Sequence, residues 1–123
     1  MESYTSKIIY YMNNPKFLGK LDNYTIYVED KSEFCGDKVD LFCLFENGFV
    51  KDLKYKFTGC SLNIASFEIL IRKIIGANLD EFENILENAL ELVSNELDFP
   101  QKKIHCIELA IESLQKVLNK LRD

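Results

Sequence analysis

The sequence predicts an α+β fold: a three-stranded antiparallel sheet, helices packed on one face of it, and a long C-terminal helix. Three observations carry this prediction. Residues 50–57 alternate Leu53, Tyr55 and Phe57 against Asp52, Lys54 and Lys56, so one face of a strand is buried and the other wet. Asn47-Gly48, between that run and the apolar run 39–46, is a strong short-range hairpin signal, because both residues tolerate positive φ. After Gly59-Cys60 the apolar period changes from two to that of a helix, and the order strands-then-helices argues for helices stacked on one side of the sheet.

The elements follow in order. Residues 6–12 read as a short helical stretch that ends at Asn13-Asn14-Pro15, since a residue before Pro is biased away from the helical region. Gly19 marks a turn, and Thr25-Ile26-Tyr27-Val28 is β-branched and aromatic enough to be a strand. Past Cys60, Leu62, Ala65, Ile69, Ile74 and Ile75, with Ile64, Phe67 and Ile71, describe a helix that is apolar nearly all round and therefore central, with Gly76 just beyond its end. Asn78 and Glu81 resemble a capping box that opens a helix burying Phe82, Ile85, Leu86, Ala89, Leu90 and Val93. Asp98-Phe99-Pro100 starts the last helix, whose stripe is Ile104, Ile107, Ile111, Leu114, Val117, Leu118 and Leu121. No repeat, linker or low-complexity tract interrupts residues 1–123, which read as a single domain.

Composition narrows the function. Hydrophobic residues at 47% and charged residues at 28% fit a globular chain and not a disordered one. A net charge of −5 without a basic stripe argues against binding to a nucleic-acid backbone. No apolar run approaches the roughly 20 residues of a membrane span. Without a signal-peptide or transit-peptide character at its N-terminus, the chain reads as cytoplasmic. In such a compartment Cys35, Cys43, Cys60 and Cys106 are core hydrophobes, metal ligands or nucleophiles, not disulfide partners.

Three of the four cysteines fall at element boundaries. Cys35 precedes the second strand, Cys60 opens the central helix and Cys106 lies early in the last one. Helix N-termini present unpaired N–H groups and a partial positive charge, which favour thiolate, the form that binds metal and attacks sulfur. Asp37 stands two residues from Cys35, and His105, the only histidine, adjoins Cys106. Cys43, between Phe42 and Leu44 in mid-strand, reads as packing.

At these landmarks the sequence resembles the IscU/NifU N-terminal family of iron–sulfur cluster scaffolds. The matching pieces are Asn14-Pro15 with Gly19, Cys35-Gly36-Asp37, Gly59-Cys60 with Ile64-Ala65-Ser66, and Lys103-Ile104-His105-Cys106 with Leu109, in the family's order along about the whole chain. The resemblance implies a non-enzymatic scaffold that builds a transient 2Fe–2S cluster, with Zn²⁺ as the metal of a cluster-free form. It implies that Cys35, Cys60 and Cys106 ligate the cluster, and that Cys106 accepts persulfide sulfur from a cysteine desulfurase. Asp37 is implied in cluster stability and release and as a ligand, His105 as an alternative fourth ligand, and Lys103 as a neighbour of the site. Implied partners are the desulfurase, apo-protein acceptors, a frataxin-like protein and a ferredoxin. Three thiolates with a hard, exchangeable fourth ligand hold a cluster less permanently than four thiolates, which suits a donor.

The chain also departs from the family. Glu29-Asp30-Lys31-Ser32-Glu33-Phe34 replaces a Gly-rich apolar segment before the first cysteine, which predicts a more charged lid. Asp98-Phe99-Pro100-Gln101-Lys102-Lys103 stands where chaperone-dependent members carry Leu-Pro-Pro-Val-Lys, so a dedicated Hsp70-type chaperone is not implied. The end at Asp123 leaves no room for the further domains of a full-length NifU. The alternative is a zinc-binding sulfur acceptor of the SufU type. His105 argues against it, since that group has Arg at this place.

Overall fold

The structure is a computed structural model and describes residues 4–32, 36–97 and 107–123, with side chains from Ser6 onward. Its elements are α1 (Tyr4–Asn13), β1 (Ile26–Lys31), β2 (Lys38–Glu46), β3 (Phe49–Thr58), α2 (Ser61–Ile74), α3 (Leu79–Glu87), α4 (Ala89–Leu97) and α5 (Glu108–Arg122). The α+β architecture expected from the sequence is present. The sheet is an antiparallel meander in the order β1-β2-β3.

Its register follows the apolar alternation. Ile26↔Cys43↔Leu53, Val28↔Leu41↔Tyr55 and Asp30↔Val39↔Phe57 form rows across the three strands. Leu41, Cys43, Leu53 and Tyr55 in these rows are wholly buried in one apolar cluster with the helices. A one-residue slip would turn that set to water, which is why register is well specified here. Asn47 (φ 55°) and Gly48 (φ 84°) both occupy the left-handed region, the conformation that the hairpin signal requires. The opposite face is not simply wet. Phe42 is 8% exposed there, covered by the rings of Tyr24 and Tyr27 at 5.6 and 5.2 Å.

Helix α2 is the hub: it lies against β3, and α1, α3, α4 and α5 all pack on it. Its residues Leu62, Ala65, Phe67, Ile69, Leu70, Ile71 and Ile74 are buried, as a helix apolar nearly all round must be. The capping box at Asn78 and Glu81 is formed in both directions, at 2.8 and 3.1 Å.

The helix expected to run from that box through Val93 is instead two helices. The break is at Asn88, whose N–H reaches back to the Asn84 and Ile85 carbonyls and whose side chain donates to Asn84 O at 2.8 Å. An Asn that bonds its own backbone competes with helix continuation. At the break the backbone of Asn88 (φ −106°, ψ 11°) leaves the helical region; beyond it Leu90 is 39% exposed, while Ala89 and Val93 stay buried. The strand expected at residues 25–28 runs on to Lys31, so Glu29, Asp30 and Lys31 of the charged segment are strand residues opposite Asp40, Val39 and Lys38, while Glu33 and Phe34 lie outside the described residues. The expected start of the last helix at 98–100 lies outside the described residues.

Glu68 is the exception in the apolar hub, a carboxylate only 2% exposed. It accepts hydrogen bonds from Lys16 N (2.8 Å), Phe17 N (3.2 Å) and Tyr55 Oη (2.8 Å). Burial and this carboxylate push the Tyr55 hydroxyl far above the ordinary phenol range. Glu68 thereby seats the segment after α1 beside β3, where Tyr55 N donates to Phe17 O and Gly19 N donates to Tyr55 O. Glu68→Gln keeps the shape but turns an NH₂ toward the backbone N–H of Lys16 or of Phe17, each of which can only donate. It should cost about 2 kcal/mol, readable as a lower urea midpoint at unchanged slope.

Candidate functional site

The site is built where the β1–β2 loop meets the first turn of α2. Ser32 N donates to Asp37 O at 2.8 Å and Gly36 N to Ser32 O at 3.2 Å, which closes the loop. Gly36, at φ 71°, makes that closure possible, since few side-chain-bearing residues adopt it without strain. The loop delivers Asp37 inward. Its side chain is buried, the residue being 3% exposed, under the start of α2.

There the carboxylate serves as a cap from outside the helix. Cys60 occupies the N-cap position with extended backbone (φ −66°, ψ 132°), but its side chain makes no capping hydrogen bond. Asp37 Oδ2 instead accepts from Cys60 N at 3.2 Å and from Asn63 Nδ2 at 2.9 Å. An anion at a helix N-terminus is favoured by the unpaired N–H groups and the helix dipole. Close approach depends on Gly59, at φ 144°: a Cβ there would overlap Oδ1 and Cγ of Asp37 and stand 2.8 Å from its Cβ.

Cys60 itself is half-buried at the edge of the apolar cluster, with its thiol free of disulfide. Cys43 is different. It is fully buried in mid-sheet, and burial, then the negative charge of Asp52, pushes its thiol up to about 12. A thiol so buried is held in its protonated form, in line with the packing role expected of it.

Of the residues singled out in the sequence, the structure therefore brings Asp37 and Cys60 together. Cys35, Lys103, His105 and Cys106 lie outside the described residues. In the sequence Cys35 directly precedes Gly36, and Cys106 directly precedes Ile107, the N-cap position of α5. Among the described residues no three His, Cys, Asp or Glu side chains converge. Nor is any helix among them long and apolar enough to cross a membrane. The sequence reading missed Asn63. The signal was a polar residue one turn into a helix otherwise read as buried on every side, where an amide requires a partner.

Comparisons with known proteins agree with one another. The family model of the NifU-like N terminal domain matches residues 3–123. The iron–sulfur cluster assembly scaffold protein IscU of Thermotoga maritima is 31% identical over 134 aligned residues, which take in 96% of this chain and 94% of that protein. IscU of Escherichia coli K12 is 29% identical, over 94% and 91% of the two chains. Among solved structures, a candidate iron–sulfur cluster assembly scaffold for the SUF system from Fervidobacterium islandicum AW-1 superposes with a TM-score of 0.72 at 29% identity, over 91% and 93% of the chains. With a full-length family match, a relative above 30% identity, and Asp37 and Cys60 joined as described, the chain belongs to the NifU-like N-terminal domain family.

Proposed function

We propose that this chain is a scaffold for iron–sulfur cluster assembly, acting as one domain. It accepts persulfide sulfur from a cysteine desulfurase at Cys106, builds a 2Fe–2S cluster on Cys35, Cys60 and Cys106, and passes it to apo-proteins. The observation that supports this most directly is the bond from Cys60 N to Asp37, which ties the loop of Cys35-Gly36-Asp37 to the cysteine that opens α2. One proposed thiolate, Cys60, thus stands on this junction with the Asp37 carboxylate beside it, and Cys35 is two residues from Asp37 in the sequence. The IscU relatives supply the reaction class.

Chemically, the Cys106 thiolate attacks the outer sulfur of the desulfurase persulfide. The sulfur–sulfur bond of the donor breaks, its cysteine leaves as thiolate, and Cys106 becomes the persulfide. Reduction of that sulfur to sulfide takes electrons from Fe²⁺ and from an external reductant, a role for the ferredoxin. The cluster is cargo. Asp37 or His105 serves as the hard, exchangeable fourth ligand, Lys103 lies near the site, and a frataxin-like protein is a further partner.

Anaerobic mixing of the protein with desulfurase, cysteine, Fe²⁺ and dithiothreitol should develop 2Fe–2S absorption. Asp37→Ala should lengthen the life of the assembled cluster several-fold, read as slower decay of that absorption under a chelator. An unchanged or shortened life would remove Asp37 from release. The likeness to the SUF-system structure is also compatible with a second reading, a zinc-dependent sulfur acceptor. That reading is selected if Zn²⁺ binds tightly, desulfurase turnover rises with the protein, and no cluster forms.

A further inference from the structure

Asn63 is an unusual choice for its position. It sits in the first turn of α2, one turn on from Cys60, and is 1% exposed. Asn is a weaker helix former than Ala, and a buried amide has to be hydrogen-bonded to offset its lost hydration. Its Oδ1 has no hydrogen-bond partner among the described residues. The one described bond of its side chain is the donation from Nδ2 to Asp37 Oδ2 at 2.9 Å. Helix stability alone does not account for it.

The same oxygen of Asp37 also accepts from Cys60 N, and the other oxygen abuts Gly59. A carboxylate held on both sides in this way is committed to capping α2. Its Oδ1 is pressed against Gly59, so turning the carboxylate toward metal beside Cys60 strains the bonds on Oδ2, and the amide of Asn63 is the shorter of the two, at 2.9 against 3.2 Å.

We propose that Asn63 is a positioning residue that latches Asp37 in the capping position and so sets how readily that carboxylate engages metal at Cys60. The inference rests on the reading of Asp37 as an exchangeable ligand. Metal-bound and metal-free forms then differ in the partner of Asp37: metal in one, Asn63 and the Cys60 amide in the other. Release of the latch lowers the cost of ligation, and the effect must travel through Asp37.

Co²⁺ titration, followed by thiolate-to-cobalt absorption, tests this with a double-mutant cycle. Asn63→Leu keeps the volume and removes the donor. It should tighten Co²⁺ binding about fivefold, the scale of one net hydrogen bond, and the gain should vanish in the Asp37→Ala background. Unchanged affinity, or the same gain without the Asp37 carboxylate, overturns the latch. If Asp37→Ala alone leaves both Co²⁺ affinity and cluster lifetime unchanged, the ligand reading of Asp37 fails instead.

A second measurement needs no variant. In ¹⁵N spectra of the wild-type protein, the Asn63 side-chain NH₂ and the Cys60 amide should carry hydrogen-bonded shifts without metal and lose them at saturating Zn²⁺. Resonances that stay in place on Zn²⁺ binding overturn the proposal.

Discussion

Gly59→Ala should destabilise the protein by about 3 kcal/mol or more and lower its Tm by roughly 10 °C. Two independent costs combine at this position. The backbone stands at φ 144°, a region that residues with a Cβ rarely enter. The added methyl would also occupy the space of the Asp37 carboxylate, overlapping Oδ1 and Cγ. Relief requires Asp37 to withdraw, which leaves Cys60 N and the Asn63 amide without their acceptor. The disturbance therefore enters the site as well as the fold. Adding Asp37→Ala removes the two worst overlaps but keeps the Asp37 Cβ, 2.8 Å from the new atom, so the double variant should recover only part of the loss. Thermal unfolding of both variants measures this. A Gly59→Ala protein as stable as wild type would show that Asp37 does not press on Gly59 in solution.

The same pair illustrates what could be read from the sequence. Asn47-Gly48, the alternation of β3 and the capping box at Asn78 were legible because each is encoded within a few residues and matches the structure directly. The split at Asn88 was not, because apolar spacing continues unbroken through Ala89 and Val93 while a local side-chain bond redirects the chain. Glu68 and Asn63 were hidden for another reason: their partners, Tyr55 and Lys16 or Asp37, are remote in sequence. A polar residue inside an apolar helix does announce that a partner exists. Only the fold identifies it. Of the candidate site, the types Asp37 and Cys60 were legible and their roles as cap and capped residue were not, since capping here crosses from one loop to another helix.

Cys60→Ser should abolish cluster assembly while leaving the fold as stable as before, or more so by about 1 kcal/mol. Serine is among the best residues at a helix N-cap, because its hydroxyl accepts from an unpaired N–H of the first turn. Cys60 holds that position and offers no such bond. Its neighbour in space, Asp37, supplies part of the missing satisfaction from the β1–β2 loop. A chain selected for helix stability alone would place the cap locally, whereas this one keeps a thiol where a hydroxyl would stabilise more. The thiol has no described hydrogen bond to lose, and Cys60 is only half-buried, so the exchange of sulfur for oxygen disturbs little packing. Oxygen is a harder and, as a hydroxyl, far less acidic donor than sulfur, and it does not replace a thiolate on a 2Fe–2S cluster. The measurement pairs thermal unfolding of the metal-free protein with anaerobic reconstitution. Stability held or raised, together with absent cluster absorption, separates the chemistry of Cys60 from its place in the fold. Full assembly by the variant would take Cys60 out of the ligand set, and a large loss of stability would mean that its thiol is structural.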